Sequence, residues 1–419
     1  MLFRSLGFIS GWSTLGTLPE KVLDILTSQH NEYKPIFADT LYVLQYLMSG
    51  HINFAVLSSV GDLFVLPLFV VLYLMWAGDS RAIRERLLLF VPVSWVLFQL
   101  QYYSLLSWPG STLQNIPVVL FSLLTIYLLG RDEQWAFCIS LGSLSLAVAS
   151  SGNGFFVIPI GCLMLIQFRR SGRLVYWLST FVAMLALYFY KYNFHSGQAR
   201  ADHSVVSSLF HISPLYALSF LGASIARYGS YVPAAILGGC LCALFAYAVF
   251  DRLYASRPAM FYSICFILTT AVAVSGLRSD FGIAQSLVSR YRIYSNLLLI
   301  LFYLYGIGKM GIRTRLDLKP GVRIRSVVTA MAIMAIGFNI ASNYAGFKLL
   351  RSRTELTKEG MCRWERGEQS ITTTLASASE DPVIRRQQMN GNYTPEGNYL
   401  REASQLRIYV PPPYCRSNP

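Results

Sequence analysis

The chain has 419 residues, of which 54% are apolar and only 13% charged, with 35 Lys and Arg against 21 Asp and Glu for a net charge of +14. So small a charged share, about half that of a soluble domain, excludes a disordered chain, a disulfide-stapled mini-protein and an ordinary water-soluble enzyme. In a soluble protein the positive excess would point to nucleic acid; in a chain this apolar it first raises the question of which side of a membrane the basic residues occupy.

In chain order, residues 1–18 are too polar and too rich in Gly and Ser to predict a clear helix, and no complete span precedes residue 54. Met1-Leu2-Phe3-Arg4 does not open the long apolar region of a signal peptide. Either this stretch inserts partially or the true start lies upstream, and the second is preferred. A spanning helix needs about 20 mostly apolar residues. Runs of that character lie at 54–77, 87–106, 116–129, 135–150, 155–168, 174–190, 232–250, 259–276, 293–307 and 327–345, which predicts an all-α integral membrane protein with about ten transmembrane helices. The runs 135–150 and 155–168 are short and meet at Ser150-Ser151-Gly152-Asn153-Gly154, the pattern of a hairpin that stops short of a full crossing.

Segment 205–226 is moderately apolar but carries His211 and Pro214, and its crossing or not decides the side of every later loop. Charge settles the expectation. The loop 309–325 holds Lys309, Arg313, Arg315, Lys319, Arg323 and Arg325 against Asp317 alone, and Arg81, Arg84, Arg86, Arg169, Arg170 and Arg173 form further basic clusters. By the positive-inside rule all are cytoplasmic, which requires 205–226 to be a re-entrant or interfacial helix on the outer face. The inner loops 79–86, 131–134, 169–173, 251–257 and 309–325 then hold 15 basic and 6 acidic residues, +9 of the total +14. Most of the basicity is an orientation signal, and no nucleic-acid partner is expected. The chain divides into an outer N-terminal segment 1–52, a polytopic domain 53–346 and an outer polar tail 347–419.

Five outer constellations carry chemistry. Gln29-His30-Asn31-Glu32-Tyr33-Lys34, followed by Asp39, offers a carboxylate beside a histidine, suited to general-base work on a hydroxyl. Glu32 is preferred over Asp39, because His30 and Lys34 flank it with groups that can also hold phosphate; a plain solvated loop is the simpler alternative. Gln101-Tyr102-Tyr103 through Trp108 to Gln114-Asn115 joins flat rings to amides, as sugar sites do, although an interfacial aromatic belt reads the same way. Around Asn153, the Gly-rich turn is either a tight turn or a helix start whose free N–H groups face a phosphate or sugar. Lys191, at the outer end of a span, either snorkels to lipid headgroups or binds an anion. Arg278, Arg290 and Arg292, with Tyr291 and a single Asp280, break the positive-inside pattern. Arg offers paired donors matched to phosphate. A salt bridge to Asp280 would still leave arginine in excess, which favours an anion site. Of seven cysteines, five lie within apolar runs, while Cys362 and Cys415 fall in the outer tail, where an oxidising compartment would permit pairing.

The order of His30-Asn31-Glu32, Gln101-Tyr102-Tyr103 with Trp108 and Leu113-Gln114-Asn115, Gly152-Asn153-Gly154, Tyr188-Phe189-Tyr190-Lys191-Tyr192, Ser219-Phe220-Leu221-Gly222 and Ser289-Arg290-Tyr291 resembles a group of bacterial polytopic membrane proteins. They are similar in layout to GT-C glycosyltransferases and to enzymes that decorate O-antigen. The resemblance covers most of residues 25–345. It implies a GT-C-like fold in the bacterial inner membrane with its active face and tail in the periplasm. It also implies transfer of a sugar from a polyprenyl-phosphate carrier to a lipid-linked or surface glycan such as lipopolysaccharide O-antigen. Glu32 matches the base position, with His30 and Asp39 beside it, and Arg290 the phosphate position, supported by Arg292, Arg278 and Lys191. Gln101, Tyr102, Tyr103, Trp108, Asn153 and Tyr291 would meet sugar or acceptor. Where GT-C enzymes carry an acidic pair after a first span, this chain offers Glu32 and Asp39 before it. Beyond membrane lipid and the lipid-linked sugar no cofactor is predicted, with a divalent cation left open. An O-antigen-type polymerase or ligase is the competing reading, and a transporter or flippase a third; the latter predicts inverted repeats and mid-membrane charge, neither of which stands out.

Overall fold

The computed structural model describes residues 4–30, 33–77, 83–194, 212–226, 230–314, 321–365 and 402–409. Among them no β-strand occurs. Seven helices are long and apolar enough to cross a membrane: Phe54–Trp76, Ile83–Leu106, Pro109–Leu129, Ser171–Phe189, Val232–Phe250, Pro258–Phe281 and Thr329–Glu359. Each covers one of the ten expected runs. The runs 135–150 and 155–168 are the shorter apolar helices Gln134–Ser150 and Gly152–Gln167, and 293–307 lies inside the 23-residue helix Arg292–Thr314.

Three helices precede the first span: α1 (Arg4–Thr14), α2 (Leu18–Thr27) and α3 (Ile36–Ser49). The expectation of no clear helix in 1–18 is corrected here. Leu6, Ile9 and Trp12 fall on one face of α1 and are buried with Ala38, Tyr42 and Val43 of α3 in a small second core, so packing overrides the poor propensity of Gly and Ser. At 11 residues α1 is too short to span. The first span is α4 (Phe54–Leu63) and α5 (Val65–Trp76), interrupted at Phe64. Pro67 explains the break: it has no N–H to donate, and its ring crowds the carbonyl four residues back.

The bundle continues with α6 (Ile83–Leu97), the single turn α7 (Tyr103–Leu106), α8 (Pro109–Leu129), α9 (Gln134–Ser150), α10 (Val157–Gln167) and α11 (Ser171–Phe189). After them come α12 (Pro214–Leu221), α13 (Val232–Phe250), α14 (Pro258–Arg278), α15 (Arg292–Thr314) and α16 (Gly321–Glu365). α8 is sheathed by neighbours and supplies much of the main core, with Ile116, Val119, Leu123 and Ile126 fully buried.

The two ends of the bundle differ in kind. At one, basic side chains satisfy helix-terminal carbonyls, which carry the negative end of the helix dipole. Arg170 donates to the Leu129 and Arg131 carbonyls at 2.8 and 2.7 Å and pairs with Asp132. Lys309 pairs with Asp251 and reaches the Tyr247 hydroxyl at 3.0 Å. Of the basic loop 309–325, only the Lys309 side chain is among the described residues. At the opposite end lie α1 to α3, the 3-10 turns Leu100–Tyr102, Gly152–Phe156, Ile283–Leu287 and Ser289–Tyr291, and α12.

Of 205–226 the structure describes 212–226: α12, eight residues long, and the 3-10 turn Ala223–Ile225, neither long enough to cross. α12 folds back against α13 through two glycines. A Cβ at Gly238 would sit 1.9 Å from the Leu218 carbonyl oxygen, and one at Gly222 would sit 1.9 Å from that of Ala234. In lipid, where apolar burial gives little drive between helices, such close backbone approach is what holds a pair together. From the tail, residues 402–409 return to the second core. Ala403 and Ile408 are fully buried there, the Ile52 N–H donates to the Ile408 carbonyl at 2.7 Å, and Tyr409 packs on Phe54.

Candidate functional site

Among the described residues a small cleft of about 70 Å³ lies between α1, the loop 28–35, α3 and the start of α8. His30, Tyr33, Asp39, Tyr42, Trp108 and Gly110 supply its chemistry. Asp39 and Tyr42 stand three residues apart on α3, so both look out from one helical face. Asp39 sits in the first turn of α3, where the helix dipole favours a carboxylate. It is 4% exposed. Burial pushes the Tyr42 hydroxyl well above its usual range, and the charge of nearby Asp39 adds to the shift. Gly110 keeps the floor low: a Cβ there would come within 3.1 Å of the Trp108 indole nitrogen and 3.4 Å of the Tyr42 hydroxyl.

The loop is held by a set of long-range bonds. His30 and Tyr33 exchange backbone hydrogen bonds of 2.8 and 3.1 Å, and their rings meet edge to face at 5.3 Å. Gln29 pairs with the Asn193 backbone through its amide at 2.9 Å and its carbonyl oxygen at 2.8 Å. The Lys34 N–H donates to the Tyr188 hydroxyl at 3.0 Å. Its ammonium, fully buried, donates to the Leu26 carbonyl at 3.1 Å and the Tyr190 carbonyl at 2.6 Å. Burial lowers the Lys34 pKa from its ordinary value. Lys34 was expected to help hold phosphate; the structure corrects this, because its donors point inward to two helix ends.

His30, Asp39 and Trp108 therefore share one cleft, while Glu32 lies outside the described residues. Gln101, Tyr102 and Tyr103 do not reach it. All three are buried where α6 ends. The Tyr102 hydroxyl accepts from the Asn296 amide at 2.6 Å, and Gln101 bonds to Gln99. Asn339 and Asn343 of α16 donate and accept at neighbouring backbone, with Asn339 at 2.7 Å from the Trp95 carbonyl and Asn343 accepting from Leu100 N–H at 2.6 Å. These polar groups satisfy one another along an irregular stretch of backbone inside the protein rather than facing a sugar.

Asn153 donates to the Tyr294 hydroxyl at 3.1 Å and joins the Gly-rich turn to α15. Tyr291 packs on Phe220 with ring centroids 5.0 Å apart. Arg278 lies over Phe281, Arg290 over Tyr291, and Arg292 reaches the Leu287 carbonyl at 3.4 Å. None of the three arginines lines the cleft, yet they belong to the same end of the bundle. Ser289, next to Arg290, accepts from the Ser104 N–H at 3.1 Å, and Ser104 is four residues before Trp108. Lys191 is exposed with its ammonium 5.7 Å over the Tyr190 ring, two residues from Asn193. Cys362 is disulfide-bonded, and Cys415 lies outside the described residues.

Two groups escaped the sequence reading. Tyr42 was legible in principle as the residue one helical turn from Asp39. Asp62 lies inside the first span, beside Gly61, whose missing Cβ lets Thr112 of α8 approach; its Oδ1 is buried and accepts no hydrogen bond. The hydropathy of the run concealed it. No family model, curated protein or solved structure matches the chain.

Proposed function

We propose that the protein is a membrane glycosyltransferase of GT-C-like type that moves a sugar from a polyprenyl-phosphate carrier to a surface-glycan acceptor at the outer face of a bacterial inner membrane. The observation that carries this reading is the cleft itself. His30, Asp39 and Trp108, singled out by their chemistry in two stretches some seventy residues apart, line it together with Tyr42. Asp39 takes the proton of the acceptor hydroxyl as that oxygen attacks the anomeric carbon. The bond between that carbon and the carrier phosphate breaks, and its electron pair stays on the phosphate. Trp108 offers a flat face for the sugar ring. Arg278, Arg290 and Arg292, at the same end of the bundle, offset the charge that builds on the leaving phosphate. Glu32, adjacent in sequence to the His30–Tyr33 turn, is the second candidate base.

A positioned general base is worth roughly 10²–10⁴ in rate, and a preorganised donor at the developing charge roughly 10²–10³. The test is deletion of the gene with mass profiling of the surface polysaccharide, then complementation with Asp39→Asn, Glu32→Gln or Arg290→Ala. Loss of one hexose-sized decoration in the deletion, unrestored by Asp39→Asn, supports the transferase. Loss of chain length supports the polymerase instead. An unchanged glycan, or full rescue by both carboxylate variants, refutes the assignment.

A further inference from the structure

α2 begins with a complete capping box. The Glu20 N–H donates to the Thr17 hydroxyl at 3.4 Å, and the Thr17 N–H donates to the Glu20 carboxylate at 3.0 Å. Such a cap fixes a helix on its own account, yet none of the ten residues of α2 is buried. Leu18, Val22 and Leu26 recur every fourth residue and form one stripe. With Pro19 and Leu23 they line a shallow, wholly apolar groove. Leu18 is 74% exposed and Val22 48%.

The contacts that hold α2 leave this stripe uncovered. The Trp12 indole donates to the Lys21 carbonyl at 3.0 Å, and the Lys21 ammonium lies 4.8 Å over the Trp12 ring. The Leu26 carbonyl accepts from Lys34, whose ammonium also binds Tyr190 at the end of α11. α2 is thus tied at the level where a spanning helix ends. The chain around that end is a cluster of rings, Phe189, Tyr190, Tyr192 and Phe194, with Phe189 and Phe194 stacked at 5.6 Å. Phe189, Tyr190 and Phe194 are exposed. Aromatic girdles of this kind mark the boundary between hydrocarbon and headgroups. The apolar stripe of α2 continues that girdle.

We infer that α2 lies flat in the membrane interface, with Leu18, Val22, Leu23 and Leu26 in the upper acyl region and Glu20 on the opposite side toward water. An amphipathic helix of this kind sinks about 5–10 Å into the headgroup boundary. The occupant of the groove is lipid hydrocarbon. Because Ser28, Gln29 and His30 follow α2 directly and line the cleft, the seat holds the cleft mouth at headgroup height, where an amphiphile presents its polar head.

The test uses the full chain in phosphatidylcholine–phosphatidylglycerol vesicles, with an environment-sensitive fluorescent amino acid at Val22 in one variant and at Glu20 in another. Lipids doxyl-labelled high on the acyl chain should quench the Val22 probe several-fold more than aqueous iodide does, and the order should reverse at Glu20. A Val22 probe quenched by iodide as strongly as the Glu20 probe would overturn the inference, since the stripe would then face water. A Val22 probe reached by neither quencher would also overturn it, since another protein surface would then cover the groove. Leu23 gives a second labelling position where the Val22 variant does not fold.

Discussion

Replacing Lys34 by Met tests whether the buried ammonium organises the cleft loop. The substitution keeps the length and apolar stem of the side chain but removes the donor that bridges the Leu26 and Tyr190 carbonyls. Each carbonyl left without its donor costs about 1–3 kcal/mol. Against that, the variant no longer buries a charge, and the lowered pKa of Lys34 shows that burial works against the ammonium. The balance leaves a local loss of about 2 kcal/mol, close to a thirtyfold shift in an opening equilibrium. Amide hydrogen exchange of the detergent-solubilised protein reads this directly. Exchange at residues 28–36 and 188–193 should quicken by that order, while α8, in the middle of the bundle, keeps its protection. Tyr188→Phe, which removes only the hydroxyl that accepts from the Lys34 N–H, should quicken the loop less. Unchanged exchange at 28–36 in Lys34→Met would refute the view that this ammonium holds the loop.

The same lysine sets a pH dependence. Its folded pKa lies below the unfolded value near 10.5, so the unfolded chain binds more protons between the two, and protection of the loop should rise with pH through that window; protection that falls there contradicts the burial. Gly238→Ala should lower the thermal midpoint by an amount equivalent to about 1–3 kcal/mol, the cost of overpacking, because the new Cβ meets the Leu218 carbonyl; an unshifted midpoint in a differential scanning measurement would mean that α12 is not packed as described. Removing the Lys309 partner with Asp251→Asn should change stability by less than about 1 kcal/mol, since that ion pair is partly solvated, and a larger loss in the same scan would show a more deeply structural role.

The long apolar runs were legible because lipid imposes length and composition together. The helices before the first span were not, for opposite reasons in α1 and α2. Gly7, Gly11, Ser10 and Ser13 depress any helix signal in α1, and only the docking of Leu6, Ile9 and Trp12 against α3 restores it. α2 shows good local signals, but its stripe is short and reads as a loop rim beside the span-length runs. The candidate residues were found by chemical type, while their grouping was not. Asp39 shares the cleft with Trp108 because α3 packs alongside the start of α8, a fact of tertiary arrangement that residue spacing does not carry. Tyr102 misled because an aromatic next to a polar residue reads the same whether it faces headgroups or, as here, donates and accepts inside the bundle. Asn296, its partner, lies 194 positions away. Asp62 was hidden by averaging: one carboxylate barely moves the hydropathy of a 23-residue span.

The return of residues 402–409 to the second core bears on how the molecule is made. Synthesis delivers α1 and α3 before the spanning helices, yet the cluster they share with Ile52 lacks Ala403, Ile408 and Tyr409 until residues 402–409 have emerged. During synthesis the apolar faces of Leu6, Ile9 and Tyr42 wait, incompletely covered, while the bundle is inserted helix by helix. The wall that α1 gives to the cleft is consequently late to set, and a chain interrupted before residue 402 would carry all seven of the described spanning helices and still leave that wall unclasped.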